Sequence, residues 1–251
     1  MRVALLLVFL LASTAADQGD AYFSQGLEAY AAEDYERAIT LFNQAAEAAP
    51  AVSKYHHWLG RACGRRAERV IFVRAGGWAR KAHASFERAV ELDPKNMDAL
   101  GDLFDYYLEA PGVLGGGEDK ARSVAERLEQ LSPAEGRHAE ARILIKRKDY
   151  PAAEKQLRRA LELEPAKLGR ILELASFLSE RGRYPESDAM FDRAAKLDPN
   201  APELLFARGK QLVASKRDPE KARQLLDHYL QSKRQPDDPP PSEVRALLKK
   251  L

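Results

Sequence analysis

Small and large apolar residues recur along the chain at one spacing. Ala38, Phe42, Ala45 and Pro50 stand 4, 3 and 5 residues apart, and the same steps return at Ala82, Phe86, Ala89 and Pro94. Three further copies follow: Ala121, Ala125, Leu128 and Pro133; Ala153, Leu157, Ala160 and Pro165; Ser187, Phe191, Ala194 and Pro199. Steps of 4 and 3 put these side chains on one stripe of an α-helix. The small residues let a second helix approach, and the large one fills the gap between them. Proline then ends each helix, because its ring fixes φ and removes an amide donor. In FERAVELDP, LRRALELEP and FDRAAKLDP the acids and bases fall on the opposite, solvated face.

A second amphipathic stretch precedes each stripe. Tyr22, Gln25, Gly26 and Ala29 share their spacing with His56, Leu59, Gly60 and Cys63, and with Leu205, Arg208, Gly209 and Leu212. The glycine marks the point where two helices cross closely. Asp34-Tyr35, Asp149-Tyr150 and Arg183-Tyr184 punctuate the turn between the two helices of a pair. With these features the sequence resembles the tetratricopeptide repeat family, whose units are helix-turn-helix pairs of 34 residues. Pro165 and Pro199 lie 34 residues apart, and Pro133 and Pro165 lie 32 apart. The resemblance covers residues 19–232, about six helix pairs, and implies an all-α fold, a right-handed superhelical solenoid with a concave groove. Physically, each pair exposes apolar surface that it cannot cover alone, so neighbouring pairs stack. Two departures stand out: the family's large aromatic ahead of the glycine survives only as Tyr22, and Phe104 takes a position where glycine is usual. Looser packing or an altered helix angle is expected in the third repeat.

The period is broken twice. Pro50 to Pro94 spans 44 residues and Pro94 to Pro133 spans 39, so insertions fall near residues 65–80 and 110–118, between the helices of adjacent units. The first contains Arg65-Arg66, Val70 to Val73, Gly76-Gly77 and Trp78, and the second reads PGVLGGG. Burying Val70, Ile71, Phe72 or Trp78 is worth roughly 1.5–3 kcal/mol each, so these side chains are expected to be covered, by the protein's own edge or by a partner. Ile71, Phe72, Trp78, Val113 and Leu114 are therefore candidates for an insertion-edge contact surface. Gly115-Gly116-Gly117 lacks the preceding strand and the Lys-Ser/Thr of a phosphate loop and is followed by acids, so a mobile or tightly turned loop is expected. Residues 233–241 form a Pro-rich linker. Residues 242–251, with Val244, Leu247, Leu248 and Leu251 on one stripe and Ser242 as the cap, form a helix expected to cover the last pair.

In the family this sequence resembles, the inner faces of the first helices recognise ligands. Carried over by position, that face holds Phe23, Leu27 and Tyr30, then Lys54, His57, Arg61 and Arg65, then Asp98, Asp105 and Glu109. It continues with His138, Arg142 and Lys146, then Leu172, Ser176 and Ser179, then Phe206, Lys210 and Val213. Its charge alternates, which suits an extended protein or peptide segment of alternating sign. The Lys and Asn pair with which chaperone-tail binders of the family hold a terminal carboxylate is replaced by His57/Arg61 and His138/Arg142, so that activity is not implied.

Composition narrows the function further. Among 251 residues, 40 Lys plus Arg oppose 38 Asp plus Glu, which argues against nucleic acid as a partner. The single cysteine, Cys63, permits neither an internal disulfide nor a Cys-rich zinc site. The five histidines form neither an i, i+4 pair nor an HExxH motif, and no nucleophile-base motif is present, so no catalytic residue, metal or cofactor is expected. Met1-Arg2, the apolar run of residues 3–12 and the small residues 13–16 resemble a secretory signal peptide. The run falls short of the roughly 20 residues of a membrane span, and no cysteine follows it to carry a lipid. Residues 1–16 are accordingly expected to be cleaved, leaving a periplasmic or secreted protein with no stable membrane span. The expected function is a non-catalytic protein- or peptide-binding scaffold of the cell envelope. The alternatives are a structural or assembly component of an envelope complex and, third, an enzyme or glycan binder.

Overall fold

The structure is a computed structural model that describes the side chains of residues 17–71 and 74–251. The expected signal peptide, residues 1–16, and Phe72 of the insertion edge lie outside these described residues. Among the described residues the chain is all-α. The helices are α1 (Arg2–Ala31), α2 (Tyr35–Ala48), α3 (Ser53–Glu68), α4 (Phe72–Leu92), α5 (Met97–Glu109), α6 (Glu118–Leu131), α7 (Pro133–Lys146), α8 (Tyr150–Leu163), α9 (Leu168–Glu180), α10 (Tyr184–Leu197), α11 (Pro202–Ser215), α12 (Pro219–Gln231) and α13 (Pro241–Leu248). They form two compact units, Met1–Leu131 and Ser132–Leu251. The first holds the pairs α1/α2, α3/α4 and α5/α6. The second holds α7/α8, α9/α10 and α11/α12, followed by α13.

The turns inside α1/α2, α7/α8 and α9/α10 share one construction. Glu33 and Lys148 at φ 64 and Gly182 at φ 72 reverse the chain in the left-handed region. The next residue then starts the second helix: Asp34 accepts from the Arg37 amide at 3.1 Å and Asp149 from the Ala152 amide at 3.2 Å. Such caps satisfy otherwise orphaned amides and are worth about 1 kcal/mol each.

The helices of a pair meet through complementary volumes. A side chain on Gly26 would stand 2.5 Å from the Phe42 ring, one on Gly60 2.6 Å from the Phe86 ring, and one on Gly209 2.8 Å from Leu226. At the same register, Ala141 and Leu157, and Ala175 and Phe191, are buried together in one cluster. In α5/α6 the order is reversed, with large Phe104 on the first helix and small Ala125 on the second. Phe104 is only 2 % exposed. By register the departure at this residue reads as a swap of large and small, and the burial of Phe104 and Ala125 is consistent with it.

The two insertions differ in kind. The first is helical: α4 has 21 residues against 14 in α2, α8 and α10, so Gly76, Gly77 and Trp78 lie inside a helix, and Arg65 and Arg66 lie in the last turn of α3. No proline or cap interrupts the segment, and the two glycines cost only about 1 kcal/mol each in helix propensity. The second is a tight turn. Gly112–Leu114 form a 3-10 turn, Gly115 takes φ 92, and the Gly117 amide donates to the Tyr107 carbonyl at 2.8 Å. A side chain on Gly115 would lie 2.9 Å from the His83 ring, and one on Gly116 would collide with the Ala110 carbonyl.

At the carboxyl end Val244 is fully buried in a cluster with Leu226 and Tyr229, and Leu247, Leu248 and Leu251 pack against it. The Tyr229 hydroxyl donates to the Pro239 carbonyl at 2.6 Å and ties the linker down. The helix begins at Pro241, after Pro240, so Ser242 sits in its first turn instead of capping it.

The volume swap is testable by a double-mutant cycle. Phe104→Ala alone is expected to cost about 3–5 kcal/mol. Adding Ala125→Phe should recover part of that loss, with a coupling of about 1 kcal/mol or more read from urea unfolding. Strict additivity would show that the two positions do not share one space.

Candidate functional site

The first unit contains a cleft of about 430 Å³. Its floor is apolar, made by Ala79, Ala82 and Phe86 of α4 with Ala110, Pro111 and Leu114 of the second insertion. One wall carries Arg61, Arg65 and Glu68 of α3, and the other Asp102, Asp105 and Glu109 of α5; Tyr30 of α1 and Tyr106 of α5 add phenol rings. Five residues of the expected inner face, Tyr30, Arg61, Arg65, Asp105 and Glu109, thus meet Leu114 of the expected insertion edge in one depression.

The basic wall is held from behind. The Arg61 guanidinium lies 4.8 Å from the Trp58 ring centroid, and its Nε is 3.5 Å from Asp102 Oδ2. Arg65 donates through Nε to the Tyr35 hydroxyl at 3.4 Å and through Nη1 to Glu68 at 2.9 Å. Tyr30 stands edge-on to Trp58 with centroids 5.3 Å apart. Burial pushes its phenol up to about 12 even though Arg61 and Arg65 pull the other way, so it stays neutral. Stacking on aromatic faces and bonding to fixed acceptors orient both guanidinium groups before any ligand arrives.

The remaining inner-face residues are placed differently. His57 is 4 % exposed, and its Nε2 lies 2.7 Å from Asp102 Oδ2. Phe23 packs into a ring cluster with Phe42 and Tyr55, centroids 5.6 and 5.3 Å away, and Leu27 is partly buried. These residues support the cleft and do not line it. His57 and Arg61 of α3 both reach Asp102 of α5 across this face.

The second unit repeats that pairing. His138 Nδ1 lies 3.1 Å from Glu173, again a histidine on one first helix meeting a carboxylate on the next. Behind it sits Arg170, 4 % exposed, which reaches Glu135 at 2.5 Å, Glu164 at 3.1 Å and Glu173 at 3.1 Å. Burial raises the Glu173 carboxyl, but His138 and Arg170 outweigh it and hold the group below its ordinary value. Sequence reasoning missed Arg170, since an arginine in an amphipathic helix reads as a surface charge. Arg142 is partly buried and Lys146 exposed on α7. Leu172, Ser179, Phe206 and Val213 are buried, and exposed Lys210 lies 3.7 Å from Glu243 of α13. A second depression, of about 690 Å³, is lined by Arg137, Glu154, Arg158 and neighbours on α7 and α8, and holds none of the expected residues.

On the insertion edge Ile71 is 70 % and Val113 86 % exposed. The protein's own edge does not cover Ile71. It stands at the N-cap of α4 in extended conformation, ahead of the helix and off its packed face. Trp78 is partly buried, with the Lys81 ammonium 4.9 Å from its ring centroid. His83 stacks on Tyr106 with centroids 4.7 Å apart and lies 3.2 Å from Glu87. Cys63 is buried, which pushes its thiol up to about 11. Among the described residues no group of three or more His, Cys, Asp or Glu could hold a metal ion, and no helix is long and apolar enough to cross a membrane.

Comparison with known proteins bears on this geometry. Residues 144–210 match one sequence model described as a tetratricopeptide repeat, and residues 23–67 match another. No curated protein matches the chain at a significant level. Among solved structures, a thermophilic tetratricopeptide-repeat protein of Thermus thermophilus is similar, with 22% identity, a TM-score of 0.59, and coverage of 78% of this chain and 99% of its own. PilF of Pseudomonas aeruginosa is similar at 16% identity and a TM-score of 0.53, over 93% of this chain and 99% of its own. At these identities the likeness is one of fold.

The charge cluster of the second unit makes a pH-dependent prediction. Because Glu173 is depressed below its ordinary value of 4.5, its contribution to stability is complete above that value and is lost as pH falls through the depressed one. Glu173→Gln should cost about 1–2 kcal/mol at neutral pH. It should also flatten the decline of the urea midpoint between about pH 6 and about pH 3. Parallel slopes in parent and variant would exclude Glu173 as the titrating partner.

Proposed function

We propose that the chain, which matches tetratricopeptide-repeat models over residues 23–67 and 144–210, is a non-catalytic scaffold of that kind, binding a protein or peptide segment in the cleft of its first unit. The observation that carries this reading is the meeting of an apolar floor with a basic wall on α3 and an acidic wall on α5. A segment laid between the walls places a carboxylate toward Arg61 and Arg65, a cationic side chain toward Asp105 and Glu109, and an apolar side chain on Phe86 and Leu114. The charges steer and orient the segment, and the floor supplies burial. A volume of about 430 Å³ lies within the roughly 300–1,000 Å³ of well-formed ligand pockets. The pre-oriented guanidinium groups lower the ordering cost of binding.

The proposed site of action is the cell envelope. Its support is the amino-terminal segment alone: a positive start, the apolar run of residues 3–12 and the small residues that follow. The exposed apolar side chains of Ile71 and Val113 favour a second reading, in which the insertion edge holds the protein in an envelope assembly.

Two measurements test these proposals. Mass spectrometry of the native protein should find an amino terminus at Ala16 or Asp17, and an intact Met1 would end the export reading. A segment identified by mass spectrometry in co-purified material should, once synthesised, bind the parent chain in calorimetric titration. Arg61→Glu and Glu109→Lys should each weaken that binding about tenfold or more while helical circular dichroism is retained. Equal affinity in both variants would remove the cleft as the binding site.

A further inference from the structure

The segment that opens α4 differs in charge from the rest of the chain. Between Glu68 and Glu87 there is no carboxylate, while Arg69, Arg74, Arg80 and Lys81 all fall there; over the whole chain the two signs are nearly equal, 40 against 38. Arg69 is engaged with Glu33. Arg74, Arg80 and Lys81 are exposed. Ile71, Arg74, Trp78 and Lys81 follow one another at steps of 3, 4 and 3 and so share one face of α4. On that face an apolar side chain 70 % exposed leads, an indole follows, and cations flank it.

We infer that this face of α4 docks on an anionic lipid bilayer, with Ile71 entering the headgroup region, Trp78 lying at the interface, and Arg74 and Lys81 meeting lipid phosphates. A single-signed face attracts the opposite charge, and the negative surface of a bilayer presents it over any area. A lone protruding aliphatic side chain finds burial among headgroups and acyl chains without a preformed pocket, which a protein partner would have to provide. Indole rings settle at the lipid interface, and long cationic side chains lie along it with their charged ends in water. The contact is peripheral, since no helix among the described residues is long and apolar enough to span. It is independent of whatever the cleft binds. Val113, although exposed, lies apart: Leu114 beside it packs 3.7 Å from where a Gly76 side chain would start, and Gly76 is turned about 200° around α4 from both Arg74 and Trp78.

The test is co-sedimentation of the full chain with phosphatidylcholine vesicles, with and without phosphatidylglycerol. Binding is expected only to the anionic vesicles, and it should fall as salt is added. A blue shift of tryptophan fluorescence should accompany binding and be absent in Trp78→Phe. The double variant Arg74→Glu/Lys81→Glu should partition about tenfold or more weakly. Ile71→Ser should also bind less, and Val113→Ser should match the parent, all with unchanged circular dichroism and melting. No partition onto anionic vesicles, equal partition by the charge-reversed variant, or a loss in Val113→Ser as large as in the stripe variants would overturn the proposal. Binding of soluble polyglutamate in preference to vesicles would overturn it too, assigning the face to an acidic polypeptide.

Discussion

Each helix pair in this protein depends on a small residue on one helix standing against a large residue on the other. Gly26 lies under Phe42 and Gly60 under Phe86, at separations that leave no room for even a methyl group. The close approach lets two short helices bury a shared apolar face, and burial is what makes helices of 13 or 14 residues persist at all, since isolated helices of that length are marginal in water. If Phe104 and Ala125 share one space, as their register and burial imply, the constraint acts on the sum of the two volumes. Which helix carries the ring is secondary.

A second set of interactions joins successive pairs. In the first unit His57 of α3 meets Asp102 of α5, and in the second His138 of α7 meets Glu173 of α9. Each histidine stands three residues before the small-or-large packing position of its helix, Gly60 or Ala141. Each carboxylate stands two before its own, Phe104 or Ala175. The pairing is thus a property of the repeat register and occurs independently in both units. It also reshapes the inner face, because charges engaged with one another across neighbouring helices orient side chains instead of standing open to a ligand. Arg170 extends the principle inward, a buried guanidinium surrounded by three carboxylates. Removing any one of them leaves charge in a place that is costly to desolvate.

The proposed binding cleft of the first unit lies where the repeat is broken. The extra turns of α4 and the 3-10 turn after α5 add a floor that a regular pair would lack, and Leu114 and Pro111 face the same space as Arg61 and Glu109. The glycine run keeps that turn close: Gly115 passes beneath His83, and the Tyr106 hydroxyl donates to the Leu114 carbonyl at 2.7 Å. A rigid loop on a stacked scaffold is a common way to build a recognition surface. In the proposed reading both departures from the period border a cleft that takes a polypeptide segment, while the outer face of the first also meets a lipid surface.

Much of this was legible in the residues alone. Steps of 4 and 3 ending in proline define helix faces, and the glycines and alanines mark close crossings, because periodicity and steric size act over a few residues and need no knowledge of the rest of the chain. The tertiary structure decided what depends on distances between helices. His57 and Asp102 are 45 residues apart, and nothing in their local sequence announces a bond. His57 shares the inner-face register with Arg61, yet it is buried while Arg61 lines a cleft. The first insertion contains glycines and still folds as helix, because helical continuity costs it little and the packing of α4 on α3 offsets that cost. Register along one helix is a short-range property, whereas the occupant of the space between helices is set by every element that borders it.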